Sequence, residues 1–133
     1  MKSDRRQRTA DLNKAVKTFI LAHRGKPIRI NNQPRTDRKT NKVYFPADTP
    51  IGCSDWIALM PGGVTLFIEV KVDSDKQRDT QAKFQREVHD LGFVYIIVHD
   101  TIDSLVEAIE ILEQHTAPTE MLGDAQGRDA VKK

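Results

Sequence analysis

The chain has 133 residues, with 21 Lys and Arg against 19 Asp and Glu and a single cysteine; that length predicts one domain with one moderate core. A lone Cys53 excludes an internal disulfide and a cysteine-based zinc site, and without an apolar run of about 18 residues no helix is expected to span a membrane. The N-terminus lacks the apolar stretch of a secretory signal, so a reducing cytoplasm is the expected compartment.

The net charge of +2 hides a division. Residues 1–46 hold 13 Lys and Arg against 3 Asp, whereas residues 47–133 hold 8 against 16 Asp and Glu. A basic N-terminal third on an acidic body points to a polyanion as partner. Residues 1–8, with Arg5, Arg6 and Arg8, read as a basic arm. Leu12, Ala15, Val16, Phe19 and Ile20 recur at helical spacing and predict a first helix over residues 9–23, stopped by Gly25. Lys14 and Lys17 extend its cationic surface. Residues 27–31, including Arg29 and Asn31, predict a strand. Residues 33–51 contain Pro34, Pro46 and Pro50 and predict a long loop. Taken singly, Arg35, Arg38, Lys39 and Lys42 read as solvated side chains. As a cluster leading into the centre of the chain, they are expected to contact nucleic-acid phosphates.

Residues 54–60 (SDWIALM) and 65–72 (TLFIEVKV) are β-rich apolar runs either side of Pro61-Gly62-Gly63. Glu69 and Lys71 share one face of their strand, because side chains alternate. If the turn is a three-residue loop, Met60 pairs with Val64, and counting back sets Asp55 opposite Glu69. Opposed side chains lie about 5 Å apart on the same face, so Asp55, Glu69 and Lys71 converge. A two-residue loop would pair Asp55 with Val70 and scatter them. Two carboxylates and a lysine suit a hard divalent cation beside a phosphate. Mg²⁺ or Mn²⁺ takes oxygen ligands and activates water, while the ammonium stabilises developing negative charge. The plainer alternative is an exposed Asp and an exposed Glu–Lys pair on a sheet edge. The apolar flanks of Glu69 weigh against it, since unpaired charges are costly to bury.

A charged connection, Asp73-Ser74-Asp75-Lys76, precedes a helix predicted over residues 79–91, with Phe84, Val88 and Leu91 facing inward. Gln81 sits near its N-terminus, where an amide can bind a phosphate or serve only as a surface side chain. Lys83 and Arg86 on the same helix are candidate backbone contacts. Gly92 ends the helix. Residues 93–98 (FVYIIV) predict a covered central strand. Ile102, Leu105, Val106, Ile109 and Leu112 predict a final helix, whose Asp103, Glu107, Glu110 and Glu113 read as a solvated face. Residues 116–133 read as a flexible tail. The four histidines do not cluster, which disfavours a zinc site. No GxxxxGK[ST] motif is present, so NTP binding of the P-loop kind is not expected. The order α-β-β-β-α-β-α gives an α/β domain, a mixed β-sheet flanked by helices, over residues 9–115.

Arg29-Ile30-Asn31, Gly52-x-x-Asp55, Phe67-Ile68-Glu69-Val70-Lys71, Gln81-x-x-Phe84 and Gly92-Phe93-Val94-Tyr95, in this order, resemble the PD-(D/E)XK nuclease superfamily and within it the VRR-NUC (virus-type replication-repair nuclease) branch. The resemblance runs from about Asp11 to His99. Ser54 stands where the family often has Pro, and Asp11 is the match for a Glu often found on the first helix, one methylene shorter. The resemblance implies a restriction-endonuclease-like core and a Mg²⁺- or Mn²⁺-dependent endonuclease. Asp55, Glu69 and the Val70 carbonyl would bind metal, Lys71 would support the attacking water, Gln81 would orient the site, and Asp11 would be a further acidic member. Small stand-alone members look like phage-encoded homodimers acting on branched DNA such as four-way junctions, in the cytoplasm of a bacterial host. A sequence-specific restriction-type nuclease and an inactive nucleic-acid-binding protein on the same fold remain as alternatives.

Overall fold

A computed structural model of the chain describes residues 2–30, 35–44 and 52–115. Helix α1 (Lys2–Ala22) is followed by β1 (Lys26–Arg29), β2 (Arg35–Thr36), β3 (Val43–Tyr44), β4 (Trp56–Met60), β5 (Val64–Lys71), α2 (Asp79–Asp90) and β6 (Val94–His99). A last helix, α3, spans residues 103–115. Four strands form one mixed sheet in the order β1-β4-β5-β6. The first two pairings are antiparallel and β5 runs parallel to β6, with α2 as the crossover. This is the expected α/β architecture. Among the described residues no helix is long and apolar enough to cross a membrane.

Strand alternation divides the sheet between two layers. Trp56, Ala58, Leu66, Ile68, Ile96 and Val98 pack with Leu12, Val16 and Ile20 of α1 and with Leu105 and Ile109 of α3. Phe67, Glu69, Lys71 and Tyr95 occupy the opposite face, where Phe84 of α2 makes edge contacts with Phe67 and Tyr95. The turn register is the odd one: the loop Pro61–Gly63 closes on a Met60–Val64 pair, and the ladder runs back to Trp56 opposite Ile68.

Several boundaries differ from the sequence expectation. The residues read as an arm are the first turns of α1, which begins at Lys2. Asp4 in the first turn suits the helix dipole, and Arg5 and Arg8, three residues apart on one side, pair with Asp75 and Asp73 of the β5–α2 connection. At the other end of α1 the left-handed residue is Arg24 (φ 62°), not Gly25. Gly25 instead leaves room for Met60, whose Sδ would lie 2.5 Å from an added Cβ. Within the stretch read as a loop, β2 and β3 make a small hairpin whose turn is held by the Asp37 carboxylate accepting from the Lys39 amide at 2.8 Å. Asn31, the prolines at 34, 46 and 50, and residues 116–133 lie outside the described residues.

Leu91 does not join the inward stripe of α2. It is 75% exposed, because the chain leaves the helix there through a Schellman turn. Gly92 (φ 87°) donates to His89 and Phe93 donates to Val88. Strand β6 lies at the edge of the sheet, not in its centre. Its apolar run reflects helices over both faces and does not report a neighbour on each side.

Candidate active site

Three elements meet around Glu69. Asp55 lies one residue ahead of β4, in line with Glu69 when the ladder is continued. It is tied down on both sides: its carboxylate Oδ2 accepts from the Val70 amide at 2.7 Å and its backbone carbonyl from Ile30 at 2.9 Å. The approach to Asp55 is fixed by Gly52. Its φ is +82°, and a Cβ there would lie 2.5 Å from the backbone carbonyl of Thr80. Only glycine combines that conformation with so close a contact, so the loop entering Asp55 is pressed against the first turn of α2.

Glu69 is fully buried. Its Oε1 accepts from the Tyr95 hydroxyl at 3.1 Å, and its buried Oε2 has no hydrogen-bond partner among the described residues. Burial pushes its carboxyl above the usual range, Asp55 adds to the rise, and Lys71, the Tyr95 bond and Arg78 pull against it. Lys71, two residues on and 9% exposed, donates from Nζ to Gln81 Oε1 at 2.9 Å. The same oxygen accepts from the Arg78 amide at 2.9 Å, which caps the start of α2. Both partners are donors, which fixes the orientation of the Gln81 amide. Gln81 therefore orients Lys71, and the expected contact of its amide with phosphate is not needed to explain its position.

Asp11 makes no described hydrogen bond with these residues. It is exposed on α1, accepts from Gln7 at 2.9 Å, and lines a cavity of about 570 Å³ with Arg8, Val72, Asp73 and Asp100. None of the interactions linking Asp55, Glu69, Lys71 and Gln81 includes it. Helix α1 instead reaches this end of the sheet through Asn13, whose Oδ1 accepts from Trp56 Nε1 at 2.8 Å and from Arg29. Arg29 lies over the Trp56 ring, 5.2 Å from its centre, and pairs with Trp56 in the β1–β4 register, on the face of the sheet away from Glu69. Arg35, Arg38, Lys39 and Lys42 are exposed on the hairpin, Arg6 on α1, and Lys83 and Arg86 on α2.

Two residues act on Glu69 that the sequence did not connect to it, although Tyr95 stands in the Gly92-Phe93-Val94-Tyr95 motif. Tyr95 reaches it through the parallel β5–β6 register, in which Phe67 pairs with Tyr95. Arg78, just ahead of α2, acts on it electrostatically. Cys53 is buried and its thiol is pushed up by that burial, which suits a packing role and not a nucleophile.

The donor set fits a hard divalent cation. A buried carboxylate oxygen without a partner, beside a second carboxylate, is satisfied by a cation better than by any described neighbour. Among the described residues no cluster of three or more His, Cys, Asp or Glu could hold a metal. The oxygen donors available to such a cation are the carboxylates of Asp55 and Glu69 and the Val70 carbonyl.

A solved structure described as a VRR_NUC domain matches this chain with a TM-score of 0.56 and 17% identity, over 77% of this chain and 95% of that one. The chain has the fold of that VRR_NUC domain. No family model matches it, and neither does any curated protein. At this identity the likeness is one of fold. The roles of Asp55, Glu69 and Gln81 rest on their own geometry.

Proposed function

We propose that this chain is a Mg²⁺- or Mn²⁺-dependent endonuclease that hydrolyses phosphodiester bonds in branched DNA. The observation that carries the reading is Glu69: a fully buried carboxylate whose Oε2 has no partner among the described residues, flanked by Asp55 and Lys71 on the fold of a VRR_NUC domain. Asp55, Glu69 and the Val70 carbonyl would hold the metal, which when bound supplies Lewis-acid activation of water and phosphate. Lys71, fixed by Gln81, sets an ammonium where negative charge develops as water adds to phosphorus and one P–O ester bond breaks. Arg78, which acts on Glu69 electrostatically, is a cation for the substrate backbone. The exposed cations of the hairpin, with Arg6 and Lys83, extend the polyanion-binding surface. The preference for branched DNA and action as a homodimer are supported by the sequence resemblance, since symmetric nicking of a junction needs two sites.

The test is cleavage of a labelled four-way junction beside a flap, linear duplex and single strand, with Mg²⁺, with Mn²⁺ and with EDTA. The expected result is metal-dependent cutting of the branched substrates, with linear duplex spared, and loss by orders of magnitude in Lys71→Ala with DNA affinity kept. Tight binding without cutting under either metal would replace this reading with a nucleic-acid-binding protein on the same fold.

A further inference from the structure

Tyr95 stands out in an otherwise hydroxyl-free aromatic cluster. Phe67, Phe84 and Phe93 pack edge to face, and the Tyr95 ring joins them through Phe84, 6.3 Å between centres. Ring packing alone would be served by a fourth phenylalanine, and a buried hydroxyl is costly unless it is bonded. The Tyr95 hydroxyl is bonded to Glu69 Oε1. Gln77 lies near enough to act on this hydroxyl electrostatically, and it is itself held by donating from Nε2 to Gln85 Oε1 at 2.8 Å. The phenol gives its one proton to the carboxylate at 3.1 Å. Rotation of the Glu69 carboxylate would break that bond. Oε1 is therefore committed, and Oε2 is the oxygen left to present.

We propose that Tyr95 is a positioning residue that locks the Glu69 carboxylate with Oε2 turned toward a divalent cation. This rests on the metal site of the preceding reading and adds the group that sets its geometry. The phenol touches neither the cation nor the substrate. It acts through Glu69, as a partner in the outer shell of a metal site does, where loss of such a bond weakens affinity on the order of ten- to a hundred-fold.

The experiment is calorimetric titration of the full chain with Mn²⁺ alone, without DNA, for wild type, Tyr95→Phe, Gln77→Leu and Asp55→Asn. Circular dichroism and a melting curve are recorded for each. Tyr95→Phe keeps the ring and removes only the proton. It is expected to melt with wild type while its Mn²⁺ dissociation constant rises about ten-fold or more, and cleavage is expected to recover as Mn²⁺ is raised. Gln77→Leu should shift the constant in the same direction by less, and it decides the matter if Tyr95→Phe does not fold. A folded Tyr95→Phe that binds Mn²⁺ within two-fold of wild type, while Asp55→Asn loses binding, would refute the positioning role and leave the metal site standing. Wild type showing no Mn²⁺ binding that depends on Asp55 would overturn both.

Discussion

Lys71 and Gln81 meet at 2.9 Å, and the oxygen that receives the ammonium also caps the helix on which it stands. One side chain thus joins the strand carrying the candidate catalytic lysine to the helix that covers it. Gln81→Ala should cost about 1 kcal/mol through the lost cap and lower cleavage by about ten-fold or more by freeing Lys71. Urea unfolding and single-turnover cleavage measure the two separately. Loss of stability with unchanged cleavage would reduce Gln81 to a helix cap.

Gly52 makes a sharper steric prediction. In Gly52→Ala the new Cβ meets the Thr80 carbonyl at 2.5 Å and the Gln81 amide at 2.8 Å, both backbone atoms. Gly62 has nearly the same φ, +83°, with nothing within 4 Å of an added Cβ. Gly62→Ala should therefore show only the backbone cost of about 1 kcal/mol. Gly52→Ala should lose clearly more, and cleavage with it, because Asp55 lies three residues on. Equal melting temperatures for the two variants would remove Gly52 from the account of the site.

How far the sequence reached follows from the range of the interactions involved. The odd register at Pro61-Gly62-Gly63 was readable because loop length and strand parity are local, and they bring Asp55 into line with Glu69. Gln81 was readable by position, though its work on Lys71 was not. Tyr95 was not, because its alignment with Glu69 depends on a parallel pairing across an intervening helix. The start of α1 was misjudged for a similar reason. Arg5 and Arg8 looked like a free basic arm, but their partners Asp75 and Asp73 are some 65–70 residues away in the chain. The run FVYIIV reported covered faces correctly and said nothing of hydrogen-bonding neighbours, so an edge strand read as a central one.

Glu69 couples function to stability. Its folded pKa is raised, chiefly by burial, so the folded chain holds this proton more tightly than the unfolded chain. The stability it contributes is full below the unfolded value and is lost as pH rises through the folded value. Glu69→Gln can still accept from Tyr95 and buries no charge. In EDTA it should be more stable than wild type by about 1–3 kcal/mol near neutral pH, with the difference shrinking as pH falls into the ordinary carboxylate range. Mn²⁺ should reverse the order by stabilising wild type alone. Urea unfolding across pH, with and without Mn²⁺, tests this. A variant less stable than wild type in EDTA at neutral pH would show that Glu69 is satisfied without a cation.

The cations differ in how free they are to meet DNA. Arg5 and Arg8 already face Asp75 and Asp73, so engaging a phosphate means giving up a partner, and the acidic side chains left behind repel the backbone. Arg38 and Lys39, at the turn of the β2–β3 hairpin, are exposed. Each free phosphate contact adds about 0.9 to the slope of log affinity against log salt for duplex DNA. Replacing Arg38 and Lys39 together with Ala should therefore lower that slope by nearly two. Replacing Arg5 and Arg8 together should lower it by less than one, although the formal charge removed is the same. Junction binding over a salt series distinguishes them. Equal losses from the two pairs would mean that the ion pairs along α1 open on DNA and that α1 belongs to the binding surface as fully as the hairpin.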